Sequence, residues 1–104
     1  MLTVDDWASI DNNPFGPTGS EFDEAYAARL DRLVRAADEL GMVVILGLFY
    51  FGQDKRLADE TAVVRAVDNA TDWLLARGFG NVLIEINNEC DVPRYAHKIL
   101  TPGW

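Results

Sequence analysis

The chain has 104 residues, 49% of them hydrophobic and 25% charged, and seventeen Asp and Glu against nine Lys and Arg give a formal charge of -8. A chain of this size and composition buries one modest core; no apolar run approaches the ~20 residues of a membrane span, and the negative charge repels nucleic acid and anionic lipid, so neither nucleic acid nor a membrane is an expected partner. Cys90 is the sole cysteine, which leaves no internal disulfide and no cysteine-based zinc cluster, and nothing in the sequence calls for a metal or a cofactor.

The opening MLTVDDWASIDNN is acidic and lacks the charged-then-apolar pattern of a secretory signal. DNNPFGPTGS then punctuates the backbone with proline, glycine and asparagine, and residues 3–20 read as loop. From Glu21 an apolar stripe follows a helical period through Tyr26, Leu30, Leu33, Ala37 and Leu40, with Ser20 or Asp23 placed to cap its start and Gly41 to end it. MVVILGLF, from Met42 to Phe49, is an unbroken apolar run too short for a buried helix, the pattern of a parallel strand covered on both faces. YFGQDKRL reads as loop. Asp59 to Arg77 forms a second amphipathic helix with Val63, Val67, Ala70 and Leu74 on one side and Gly78 past its end. NVLIEIN is the second strand, and Asp91 and Pro93 mark a short helix start before TPGW.

Helix, strand, helix, strand with each helix closed by glycine before a buried strand is the alternation of a parallel α/β protein, and it suits a (β/α) barrel and a doubly wound sheet alike. The stretch NVLIEINNEC separates them. Side chains alternate along a strand, so Leu83, Glu85, Asn87 and Glu89 are expected on one face. A barrel has a polar, partly wet centre that holds such a row, whereas a face covered by helices leaves Glu85 without compensation. Glu89 falls where the strand ends, the place at which parallel α/β proteins gather reactive groups.

IEINNE resembles the fourth-strand motif of clan A glycoside hydrolases, the retaining (β/α)8-barrel enzymes that include many cellulases and mannanases, in which a strand glutamate is followed after two residues by Asn-Glu. The resemblance covers roughly residues 26–92 and implies a carbohydrate substrate, with Glu89 as general acid/base and Asn88 holding the sugar 2-hydroxyl. Glycosidic cleavage needs one carboxyl group that protonates the leaving oxygen and a second, about 5 Å away, that attacks the anomeric carbon. Many members carry proline after the catalytic glutamate and histidine at the end of the third strand; Cys90 and Phe49 stand there in this chain, a departure that bears on subfamily and sugar.

Phe49, Tyr50, Phe51, Gln53 and Asp54 follow the first strand and in a barrel would line the same mouth as Glu89, the aromatic rings stacking on sugar and the polar groups holding hydroxyls. Tyr50 is favoured among the aromatics because its hydroxyl demands a polar partner, and Glu85 is included as a deeper polar contact. His97, with no second His or Cys at ligand spacing, is expected at the surface. Asp5, Asp6, Asp11 and Asp23 read as solvated or capping residues, Trp73 as packing between helices, and Trp7 and Trp104 as sugar platforms or loop anchors. The resemblance places the two strands third and fourth in the barrel and puts the nucleophile on a seventh strand without counterpart here, so the chain is expected to be a barrel fragment, inactive alone and in need of the remainder of the barrel. Two other readings stand beside it: a different (β/α)-barrel enzyme, an isomerase or aldolase using Glu89 as base, and a small non-catalytic α/β domain whose acidic surface binds a protein.

Overall fold

The computed structural model describes residues 14–103; Asp5, Asp6, Trp7, Asp11 and Trp104 lie outside them. The first helix, α1, spans Glu24–Glu39. Asp23 caps it by accepting the Tyr26 N–H at 2.7 Å, and Glu24 adds a negative charge to the first turn, where the helix dipole favours one. Ala27, Leu30, Val34 and Ala37 form its covered line, while Leu33 and Leu40, expected on the same stripe, stand exposed. The apolar face of α1 is thus wider than the surface that packs on it. Gly41 takes the left-handed φ of +70° that ends the helix, its N–H donating to Asp38.

Strand β1 runs Val44–Phe49 and strand β2 Val82–Asn87, with helix α2, Glu60–Arg77, between them. The strands pair in parallel, Val44 opposite Val82 through Phe49 opposite Asn87, a geometry that requires a long crossover, which α2 supplies. Asp59 caps α2 by accepting the Ala62 N–H at 2.7 Å, and Gly78 at φ +70° closes it. Ala62, Val63, Ala66, Ala70 and Leu74 of α2 are buried. Together with Phe15, Phe49, Leu57 and Leu100, most of these residues make the core. Asn81 joins the parts: its side-chain amide donates to the carbonyls of Val34 and Met42, and its own carbonyl accepts the Val44 N–H.

Residues 14–23, read as plain loop, form a tight turn closed by an antiparallel bridge between Phe15 and Phe22. Gly19 lies against α2 at φ +73°; a Cβ there would land on the Ala62 carbonyl oxygen and 3.0 Å from the Ala66 nitrogen. Asn69 and Arg65 of α2 donate to the carbonyls of Gly19 and Thr18. Trp73 packs as expected, between Phe22 and Phe79.

The expectation that both strand faces are covered is corrected. Leu46 and Leu48 of β1 line a cavity together with Leu30, Ala70, Trp73 and Leu74 on the helix side. On the other face Ile45 is 69% and Leu83 60% exposed, and on β2 Ile84 and Ile86 are exposed too. Among the described residues the sheet has two strands, and Ile45 and Leu83 leave an exposed apolar surface on the face away from the helices. The described architecture is a small α/β unit of two helices and a two-stranded parallel sheet. No helix among the described residues is long and apolar enough to cross a membrane.

Candidate functional site

The site is built at the carboxyl-terminal ends of the two parallel strands. The ladder continues one step past β2, where the Asn88 N–H donates to the Phe49 carbonyl at 3.1 Å. The chain then turns. Glu89 adopts φ +47°, the left-handed region, and is the one non-glycine among the described residues to do so; its carbonyl accepts the Val92 N–H at 3.0 Å. The expected alternation through Leu83, Glu85, Asn87 and Glu89 therefore stops at Asn87, because Glu89 sits in a turn and no longer follows the period of two.

Glu89 is exposed, and among the described residues its carboxyl group takes part in no hydrogen bond or salt bridge. Asn88 is half-buried beside it, and its backbone carbonyl accepts the Tyr95 hydroxyl. Asn87, also half-buried, donates its side-chain amide to the Leu100 carbonyl at 2.7 Å. Glu85 is exposed on the open face next to Gly47, its Oε2 3.2 Å from where a Cβ on that glycine would be. Tyr50 is half-buried and stacks on Phe51 with ring centroids 4.2 Å apart.

Three residues expected at the mouth are buried. Phe49 is 4% exposed and packs in the core, so its ring offers no face to a sugar. Gln53 is 8% exposed at the start of the short 3-10 turn Asp54–Arg56. Asp54 is 1% exposed; its Oδ2 accepts the N–H groups of Ala96 at 2.8 Å and His97 at 3.0 Å, and its Oδ1 is buried with no partner among the described residues. Asp54 sits under the loop that follows β2, which folds back over it.

His97, expected at the surface, is half-buried under the same fold-back, its Nε2 within 2.9 Å of the Asp54 carbonyl and 3.0 Å of the Leu57 carbonyl. Two carbonyl neighbours require that nitrogen to carry the proton and donate. Tyr95 was missed by the sequence reading altogether. Its ring meets Phe51 edge-on, its hydroxyl reaches the Asn88 carbonyl, and burial, the largest cause, with Asp54, Glu85 and Cys90 nearby, pushes its pKa up to about 12. The signal available was a hydroxyl-bearing aromatic two residues after proline in an otherwise polar loop, which is weak.

Two cavities among the described residues lie on the helix side, one between Leu46, Leu48 and the helices and one in a groove flanked by Arg32, Trp73 and Arg77; Glu89 and Asn88 line neither. Among the described residues no three His, Cys, Asp or Glu gather at metal-binding distance. What the strand ends assemble is one free carboxyl group on a braced turn, a neighbouring amide side chain, a second carboxyl group on the open sheet face and an exposed edge of Tyr50. Such a set exchanges protons and holds hydroxyls. Compared with protein-family models, with curated proteins and with solved structures, the chain finds no match.

Proposed function

We propose that this chain is the third-and-fourth-strand segment of a (β/α)8-barrel glycoside hydrolase of clan A, and that Glu89 is the general acid/base of a retaining cleavage. The observation that carries the reading is the free, exposed carboxyl group of Glu89 on the turn that ends a parallel strand, beside Asn88. The uncovered Ile45, Leu83, Ile84 and Ile86 support it from a second side, since these are the residues that further strands and helices of a barrel would bury.

In this reading Glu89 begins protonated and hands its proton to the oxygen of the departing sugar, while a carboxylate about 5 Å away, supplied by the remainder of the barrel, attacks the anomeric carbon and forms a glycosyl ester. Glu89, now ionised, then takes a proton from the water that hydrolyses that ester. Asn88 donates to the sugar 2-hydroxyl without titrating, and Tyr50 lends the exposed part of its ring to the sugar face. Glu85, one layer deeper, orders hydroxyls or water below the reacting sugar.

The test is Glu89→Gln in a full-length barrel carrying this segment. Activity on glycosides with poor leaving groups falls by about 100-fold or more, and activity on aryl glycosides whose leaving group needs no proton falls far less. Equal loss on both refutes the acid/base role.

A further inference from the structure

We infer that Tyr95 is a positioning residue for Glu89: its hydroxyl, carried by a segment whose next two backbone N–H groups Asp54 accepts, locks the left-handed turn that presents the Glu89 carboxyl group. This inference rests on the acid/base reading for its functional meaning, though its geometry stands apart from it.

A glutamate at φ +47° crowds its Cβ against backbone, and nothing local makes that conformation preferred. Three hydrogen bonds flank it: the Asn88 N–H to Phe49, the Tyr95 hydroxyl to the Asn88 carbonyl, and the Val92 N–H to the Glu89 carbonyl. The first belongs to the ladder and the third to the turn. Only the Tyr95 contact fixes the peptide between Asn88 and Glu89 from outside, and that peptide sets the Glu89 φ. Tyr95 is itself held from both sides in sequence and space: Asp54 accepts the N–H groups of Ala96 and His97 immediately after it, and the Phe51 ring meets its own at 87°. The raised pKa of Tyr95 keeps the hydroxyl protonated, and therefore a donor, throughout the range in which a carboxyl acid/base works.

The test is residue-resolved amide hydrogen exchange on the full chain, wild type against Tyr95→Phe, a change that keeps the ring and removes the donor. Exchange at Asn88 and Val92 speeds up about fivefold to tenfold, while Leu46 and Ile84 in the ladder stay within about twofold. Adding Glu89→Gly, which makes the left-handed turn unstrained, restores protection at Asn88 and Val92. A uniform rise across the ladder, no change at the turn, or failure of glycine to rescue it would each overturn the inference. None of these readouts measures catalysis, so the brace fails or stands separately from the glycosidase reading, which the Glu89→Gln leaving-group comparison decides.

Discussion

The left-handed backbone at Glu89 makes a quantitative demand on stability. Its carboxyl group has no partner among the described residues and its side chain is exposed, so truncating it to alanine removes no packing and leaves the strained φ of +47° in place. Glu89→Ala is therefore expected within about 0.5 kcal/mol of wild type, as for an exposed site. Glu89→Gly removes the clash, worth about 1–2 kcal/mol, and gives back about 0.5–1 kcal/mol through the greater freedom of an unfolded glycine. The glycine variant should then be the more stable of the two by up to about 1.5 kcal/mol. Urea unfolding followed by tryptophan fluorescence, at one protein concentration with the m-value checked for constancy, reads the difference directly. At an ordinary exposed position glycine is worse than alanine, so the order of the two variants reverses if the turn is not left-handed. Alanine equal to or better than glycine would refute the strain argument and with it the reason for a brace.

Three further outcomes follow from other parts of the molecule. Gly19→Ala combines a φ of +73° with a Cβ driven into the Ala62 carbonyl, so the start of α2 must shift; a loss of about 3 kcal/mol or more is expected, read as a lower urea midpoint, and a loss under about 1 kcal/mol contradicts the close approach. The chain alone should self-associate through its open sheet face, and Ile45→Lys with Leu83→Lys should move it toward monomer in sedimentation velocity, each apolar side chain at 60–69% exposure being worth about 1–2 kcal/mol when covered by a neighbour; a parent chain already monodisperse and cooperatively folding would overturn this. For Tyr95 the folded pKa of about 12 lies above the ordinary 10.0, so the unfolded chain loses its proton first: the stability tied to the protonated hydroxyl is complete below pH 10 and is lost as pH rises through about 12, a loss that Tyr95→Phe should lack in unfolding measured from pH 9 to 12.

What the sequence made legible is what depends on neighbours in the chain. Helix α2 was readable from Val63, Val67, Ala70 and Leu74 and from Gly78, because period and capping are local. Met42 and Val43 read as strand on hydropathy alone, yet β1 begins at Val44, since the paired stretch of β2 starts only at Val82 and pairing, not hydropathy, sets the boundary. Leu33 and Leu40 fit the helical period and are still exposed, because a period tells which face is apolar and not whether a neighbour is there to cover it. Asn88 and Glu89 were named from the strand-end motif, whereas the burial of Asp54 and His97 was not foreseen. Those two are brought together across 43 residues by the loop after β2, and a polar residue in a loop looks the same whether it faces a ligand or accepts two backbone N–H groups. The positive φ of Glu89 was hidden as well: the contacts that flank it come from Phe49, on the preceding strand, and from Tyr95, on the loop after the turn.

The open face of the sheet carries a gradient that points the same way as the turn. From the amino-terminal to the carboxyl-terminal end, its layers are Ile45 with Leu83 and Gly47 with Glu85; Phe49, next in register with Asn87, is buried in the core, and Asn88 and Glu89 follow. A face meant for water has no use for Ile45 and Leu83 at its base, and one meant to pack flat against helices has no use for Glu85 above them. Gly47 resolves the crowding between layers: without a Cβ it leaves the Glu85 carboxyl group room to lie across the strand, 3.2 Å from where that atom would be. A row apolar at one end, carboxyl-bearing in the middle and amide-bearing at the other fits the proposed barrel interior, with a packed floor and a wet mouth. In the proposed barrel, strands that bury Ile45 and Leu83 would also take Glu85 out of water, and must bring a donor to it.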